Sequence, residues 1–285
     1  MKFVFVSLII LGFVSQANAQ STTTINSTTI QTPAEPKPKI FSATLLLDTS
    51  TTLAPGSAGS GSGGEGYAQS GTYQLILGAK LPWDLSLSAK GSYSQEYTYV
   101  RADGRSGDFD DTIFSLSKKV LKPAKDFTIS TGVSLILPTN NETQKSTLKS
   151  VLGFSVPIAY KWKKLEISTA PKFSQSFHEA EVQANGRLNT AYSFSILNTI
   201  AYSFTDKLSA SIVYAPSRGF TYQGTTRDKY SLIYEVGYAW TDKFSTAVGL
   251  ANVNASSLHR TGVDSNYTLY DATQTVGYFD LILTL

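Results

Sequence analysis

Residues 191–215 read AYSFSILNTIAYSF, then TDK, then LSASIVYA. Before the Thr205-Asp206-Lys207 turn, one parity holds Tyr192, Phe194, Ile196, Ile200, Tyr202 and Phe204. The other holds Ala191, Ser193, Ser195, Thr199, Ala201 and Ser203. After the turn the alternation resumes, with Leu208, Ala210, Ile212 and Tyr214 against Ser209, Ser211 and Ala215. Side chains of a strand alternate between faces, so period two across a tight polar turn predicts an antiparallel hairpin. Its apolar face has aromatics at the ends and aliphatics in the middle. That face meets either the core of a soluble sheet or bilayer hydrocarbon. In the second case the small polar face lines a lumen.

The beginning of the chain narrows the choice. Lys2, the apolar run 3–14 and the Ala17-Asn18-Ala19 cleavage pattern read as a secretory signal over residues 1–19, cut after Ala19. No cysteine is present, which excludes disulfides and thiolate metal sites. No later stretch approaches ~18 continuous apolar residues, the length a spanning helix needs. Charged residues make up 16% of the chain, against roughly a quarter in ordinary soluble domains. A net charge of +3 gives no case for nucleic acid.

Residues 20–39 are rich in Ser and Thr, then in Pro, and read as a flexible periplasmic leader. From residue 40 to 285 the chain repeats one unit. The alternation predicts twelve strands at 40–47, 72–81, 85–95, 112–120, 127–137, 151–161, 165–177, 191–204, 208–215, 230–240, 244–253 and 273–285. Most have the roughly ten residues of a tilted membrane strand. The first is the least regular, and no helix is expected. Short connections at 82–84, 121–126, 162–164, 205–207 and 241–243 alternate with long ones at 48–71, 96–111, 138–150, 178–190, 216–229 and 254–272. All three tryptophans (Trp83, Trp162, Trp240) lie at short turns, whereas Tyr73, Tyr93, Phe177, Tyr192, Tyr214 and Tyr230 gather at the long-loop ends. A soluble sandwich has no reason to sort its aromatics by strand end. Two girdles around an aliphatic band do.

The signal, the hairpin repeat and the final strand GYFDLILTL together resemble the bacterial outer-membrane β-barrel class, porin-like but of no specific subfamily. In that strand Phe279, Leu281, Leu283 and Leu285 share a face, similar to the terminal sorting signal of such proteins, with Leu285 in place of the usual Phe. The resemblance implies an all-β antiparallel transmembrane barrel in the outer membrane of a diderm bacterium. It also implies short periplasmic turns, long extracellular loops, contact with outer-membrane lipid and lipopolysaccharide, and delivery by the outer-membrane assembly machinery through the last strand. Oligomeric state stays open.

Charge placement supplies the candidate sites. All six arginines, Arg101, Arg105, Arg187, Arg218, Arg227 and Arg260, fall in predicted long loops. Guanidinium forks bind phosphate and carboxylate bidentately, so these are candidates for contact with anions or lipopolysaccharide phosphates; the bland alternative is solvated loop charge. Lys90, Lys172, Glu235 and Asp280 point to the polar face near mid-depth, the lysines on the third and seventh strands and the acids on the tenth and twelfth. They are candidates to line a pore, or else to pair in a network that closes it. Lys80, Lys161 and Glu166 point the same way but are expected to meet bulk water at the periplasmic rim.

Catalysis has little to stand on. His178 and His259 are the only histidines, and both fall in loops. Ser176, His178 and Glu179 resemble the nucleophile–base arrangement of an outer-membrane phospholipase. That family has His before Ser on a lipid-facing edge; here the order is reversed and the face is inward. Asp103, Asp108, Asp110 and Asp111 crowd one loop without the spacing of an EF-hand. No cofactor is implied. The expected function is therefore non-enzymatic: a passive channel for small hydrophilic solutes. The alternative is a structural or surface-interaction barrel with a closed lumen and partner-contacting loops.

Overall fold

The computed structural model describes residues 40–53, 69–98, 106–124, 126–256 and 275–285. The expected signal (1–19) and leader (20–39) lie outside these, as do Arg101, Asp103, Arg105, His259 and Arg260. The described chain folds as β1 (Phe41–Thr52), β2 (Gln69–Leu81), β3 (Leu85–Glu96), β4 (Gly107–Phe109), β5 (Thr112–Ala124), β6 (Phe127–Leu137), α1 (Asn141–Lys145), β7 (Leu148–Ser155), β8 (Ile158–Trp162), β9 (Leu165–His178), β10 (Thr190–Ser203), β11 (Leu208–Thr221), β12 (Thr226–Ala239), β13 (Phe244–Ser256) and β14 (Thr275–Thr284). β4 and β5 both pair with β3 and share one wall position; β7 and β8 both lie between β6 and β9 and share another. The fourteen strand segments therefore make twelve wall positions.

Every neighbouring pair is antiparallel, and the ends meet: β1 pairs β14 from Thr44↔Thr284 to Thr52↔Val276. The ring of twelve wall positions formed by the described strands thus closes on itself. That is the condition for a strand structure to stand in hydrocarbon, where an unpaired backbone N–H or C=O costs several kcal/mol. The parity read from the sequence sorts as expected. Leu75, Leu77, Leu116, Val133, Ile200, Ile212 and Val248 are exposed on the outer face, while Thr72, Gln74, Ser92, Ser134, Thr199 and Ser211 are buried on the inner one. Trp83, Trp162 and Trp240 are 80%, 57% and 54% exposed at the short-turn end, where an indole meets both hydrocarbon and water.

The repeated Thr-Asp-Lys turns have one chemistry. Thr205 Oγ1 accepts the backbone N–H groups of Lys207 and Leu208 at 3.2 and 2.9 Å, and Phe204 N–H donates to the Leu208 carbonyl at 2.9 Å. Thr241 Oγ1 accepts from Lys243 and Phe244 at 3.2 and 3.0 Å, and Trp240 N–H donates to the Phe244 carbonyl at 3.0 Å. The Trp83-Asp84 turn uses the other route, with both residues at positive φ (61° and 59°). That conformation gives a two-residue connection the twist of its flanking strands.

Two expectations change, and the irregularity expected of the first strand is explained. The segment 216–229 is no loop: β11 and β12 run on as a hairpin to a turn at 222–225, with Gly224 at φ 79°. Arg218 Nε and Nη2 reach Asp228 Oδ1 and Oδ2 at 2.6 and 2.7 Å across this extension, a cross-strand fork that composition cannot reveal. A helix does form, the short α1. Asn140 caps it by accepting Glu142 N–H at 2.8 Å, and this local capping wins over the β tendency around it. Finally, Leu46 breaks the alternation of β1 because it points inward, at 7% exposure.

Replacing Thr205 or Thr241 by Ala removes two backbone acceptor bonds in each case. Each substitution is expected to lower the unfolding free energy by about 1 kcal/mol, and the double variant by the sum, since the turns are separate. Urea titration of the barrel in lipid vesicles measures this; a double variant no less stable than the parent would remove the turns from the account.

Candidate functional site in the barrel lumen

The register of β9 to β12 sorts the lumen wall into layers. Inward positions of β12, from the long-loop end, are Arg227, Lys229, Ser231, Ile233, Glu235, Gly237 and Ala239. Lys229 pairs with Ser217, Ser217 with Ser195 and Ser195 with Lys172, so two cations and two hydroxyl side chains share one row. Two rows deeper lie Ile233, Val213 and Ala251, buried against Tyr278, with Leu197 and Val276 packed on them. One row deeper again is Glu235, with Ser211, Ala201 and Glu166. Cations, an apolar belt and carboxylates thus follow one another down the wall.

The carboxylate layer is a cluster. Asp48 on β1 and Asp280 on β14 are direct cross-strand partners at the closing seam, 1% and 0% exposed. Glu235 comes close enough to both to interact electrostatically, and Tyr278 donates to its Oε2 at 2.8 Å. To do so Tyr278 crosses β13 at Gly249, where a Cβ would fall on the phenol ring. A glycine is needed there for the close passage of a ring, with no unusual backbone angle involved. Lys172 is accommodated in the same way. A Cβ at Gly153 on β7 would sit 2.7 Å from its Cε, so the lysine arm lies across that glycine.

Lys90 stands apart, near Asp110, whose Oδ2 accepts Ser92 and Ser94 hydroxyls at 2.8 and 2.9 Å. Asp110 and its neighbours link the wall to the long loops. Asp108 accepts Asn141 Nδ2 at 2.6 Å, and Asp111 Oδ1 accepts the Thr143 hydroxyl at 2.6 Å, which holds α1 to the β4–β5 bend. Burial pushes the Asp111 carboxyl above its usual range, and the Thr143 bond pulls it back. Asn189, 1% exposed, donates to the Ser146 and Ala180 carbonyls at 2.9 and 2.8 Å and accepts from Gln183 Nε2 at 2.9 Å. Its own carbonyl takes Tyr222 N–H at 3.3 Å. The loops after β6 and β9 and the β11–β12 turn are therefore one hydrogen-bonded collar.

Of the pore-lining candidates, Glu235 and Asp280 come together, while Lys90 and Lys172 lie on other parts of the wall. Asp48 and Tyr278, which complete the acid cluster, were missed. Asp48 has the inward parity of β1, but the sequence reading ends that strand at 47 and leaves Asp48 in the loop 48–71, whereas β1 runs on to Thr52. Glu166 does not open to water at the rim; it is 7% exposed, in the row of Glu235 and opposite Lys161. Among the arginines, Arg218 sits on the outer face with Asp228. Arg227 faces the lumen from a strand, and Arg187 sits in the hairpin closed by the Val182–Leu188 bridge. His178 packs edge-on against Tyr222, with ring centroids 5.8 Å apart. Tyr222 Oη donates to the Ser176 carbonyl at 2.9 Å and accepts His178 N–H at 3.3 Å, so this pair serves the collar.

The architecture matches known barrels. The COG4313 outer membrane channel from Pseudomonas putida F1 superposes with a TM-score of 0.60 at 13% identity, over 88% of this chain and 97% of that one. The NanC porin superposes with a TM-score of 0.53 at 7% identity, over 84% and 98%. The fold is that of an outer-membrane channel barrel. No protein-family model and no curated protein matches this channel-like barrel in sequence. Its likeness to the solved channels is one of architecture.

Two substitutions test the lumen geometry. Tyr278→Phe leaves Glu235 without its donor, and Gly249→Ala pushes the ring off its path. Each is expected to destabilise the barrel by about 1–3 kcal/mol, the cost of an orphaned buried polar group, as measured by urea unfolding in vesicles. Equal stability in both variants would show that the contact contributes nothing. Asn189→Ala is expected to unfasten the collar while leaving the wall intact. Its readout is faster amide exchange at 141–147 and 179–189 with unchanged exchange in β12; protection equal to the parent in those loops would refute the collar.

Proposed function

We propose that the protein is a passive channel of the outer membrane for small hydrophilic solutes, driven by their gradients and using no cofactor. The observation that carries this reading is a closed twelve-position wall whose inner face, apart from one apolar belt, is dominated by hydroxyl and charged side chains. Its outer face matches hydrocarbon. A barrel whose only task was to display loops could fill its interior with apolar side chains. This one places buried serines, threonines, lysines and carboxylates there, at a desolvation cost. The architectural likeness to solved channels supports the same reading.

In this reading residues 1–19 are a signal removed after Ala19, and the β14 strand is the contact for the assembly machinery. Lipid and lipopolysaccharide surround the barrel. Lys90, Lys172, Glu235 and Asp280, joined by Asp48, set the electrostatic field across the lumen, and the arginines of the long-loop end are the first cations a solute encounters.

Refolded mature protein in a planar bilayer is expected to give discrete current steps whose size rises with salt concentration. Reversal potentials in a salt gradient are expected to shift toward cations in a Lys90→Glu, Lys172→Glu double variant. Steps with unchanged selectivity would take these lysines off the path. A properly folded barrel that carries no current would overturn the channel reading.

A further inference from the structure

The lipid-facing parity of β10 runs Tyr192, Phe194, Ile196, Asn198, Ile200 and Tyr202, and between its two tyrosines it has one polar member. Asn198 stands about 20 Å of extended strand from Tyr192 at one girdle and about 13 Å from Tyr202 at the other, so it faces hydrocarbon near mid-depth. Its partners across the ladder are Thr169 on β9 and Tyr214 on β11. Asn198 Oδ1 accepts the Thr169 hydroxyl at 2.9 Å, and its Nδ2 donates to the Tyr214 carbonyl at 3.3 Å. A side-chain amide has two N–H donors and an oxygen with two lone pairs, so these bonds use one of each and leave one of each unused. Hydrocarbon has no water to take the unused pair, and an unmet polar group there costs free energy.

Proline shapes the wall around this side chain. Pro171 on β9 pairs with Ile196, and Pro216 on β11 flanks Ile196 from the other side. The β10–β11 pairing steps from Ser195↔Ser217 to Asn198↔Tyr214, because Pro216 brings no N–H to the level between. Within a sheet, proline is ordinarily kept to an edge or a bulge; here two stand in neighbouring positions of a closed wall. Pro171, Ile196, Asn198 and Pro216 are all half-buried. Phe173 and Phe194 on the long-loop side of them, and Ile167, Ile200 and Ile212 on the other, are 43–50% exposed. The patch is therefore a shallow floor with an amide at its centre and an apolar rim.

We infer that this patch is a self-association surface, through which two copies of the barrel pair in the plane of the membrane. In water an interface is driven by its apolar centre. In hydrocarbon the lipid tails already match an apolar rim, and polar side chains that bond across the contact hold the partners together. The chemistry of the patch selects a second copy as its occupant. One side chain offers both an unused N–H and an unused carbonyl lone pair. A two-fold axis beside Asn198 lets each protomer donate to the other and accept from it, which satisfies both groups with one contact. A partner with donors alone, or acceptors alone, meets half of that need. Pairing goes beyond the channel reading and does not rest on it.

The test uses refolded mature protein in phospholipid vesicles, diluted stepwise with lipid. The chain has no cysteine, so a fluorophore on Asp242→Cys, in a short turn, labels one position per barrel. Photobleaching of single particles is expected to show two steps for the parent. Asn198→Leu is expected to fall to single steps at a protein-to-lipid ratio at least tenfold higher than the parent does. Heat-modifiable migration on gels confirms folding, and an unfolded Asn198→Leu is replaced by Thr169→Val, for which a clear loss is also expected. In a second arm without the label, catalysed oxidation is expected to link Ile200→Cys protein into covalent dimers and to leave Leu77→Cys, on the opposite wall, monomeric. Single steps for the parent at every ratio overturn the inference. Pairs that persist unchanged in both Asn198→Leu and Thr169→Val, or Leu77→Cys dimers formed as readily as Ile200→Cys dimers, place association elsewhere and also overturn it. Ile200→Cys linked in whole cells to a different polypeptide, and never to its own copy, assigns the face to that partner and overturns self-association. None of these outcomes depends on whether the barrel carries current.

Discussion

The pairing of β1 with β14 is the constraint on which the rest depends. In hydrocarbon no water satisfies a strand edge, so a sheet stands there only when its first and last strands bond to each other. Nine consecutive residue pairs make that seam, from Thr44↔Thr284 to Thr52↔Val276. Closure also decides what lies beside what. It sets Asp48 against Asp280, two carboxylates more than two hundred residues apart, and it brings both to Glu235. Without the seam this cluster does not exist.

Closure divides the chain's side chains between two solvents. The outer face reverses the rule of a soluble protein, since Leu75, Ile200, Ile212 and Val248 are exposed because the medium is as apolar as they are. The inner face is polar and crowded, and its small residues do the accommodating: Gly249 lets Tyr278 reach Glu235, and Gly153 carries the arm of Lys172. Such close passages make a buried charge tolerable, because a donor or a neighbouring dipole stands where water would otherwise be.

The two ends of the barrel are built differently. At the short-turn end each connection is local, with a threonine hydroxyl and one or two backbone bonds reversing the chain. At the other end the connections hold one another. Asn189 gathers the loops after β6 and β9, Tyr222 joins from β11–β12, and Asp108 and Asp111 anchor α1.

Much of this was legible in the order of residues. Period two, the turn motif and the sorting of aromatics by strand end gave twelve strands, their antiparallel pairing, and which face meets lipid. These are local consequences of side chains alternating along a strand. The sequence also marked Lys90, Lys172, Glu235 and Asp280 as inward, since parity alone says so. What it could not convey was depth and neighbourhood. Register between strands far apart in the chain decides that Lys229 shares a row with Lys172, and that Asp48 sits beside Asp280. It likewise decides that Glu166 lies level with Glu235. The same holds for Arg227, whose place in a predicted loop concealed that β11 and β12 continue as strands and carry it on their inner face. The sequence by itself determined the kind of wall; only the closed tertiary structure decided which charges share a layer, because neighbourhood in a barrel depends on pairings that close over distance.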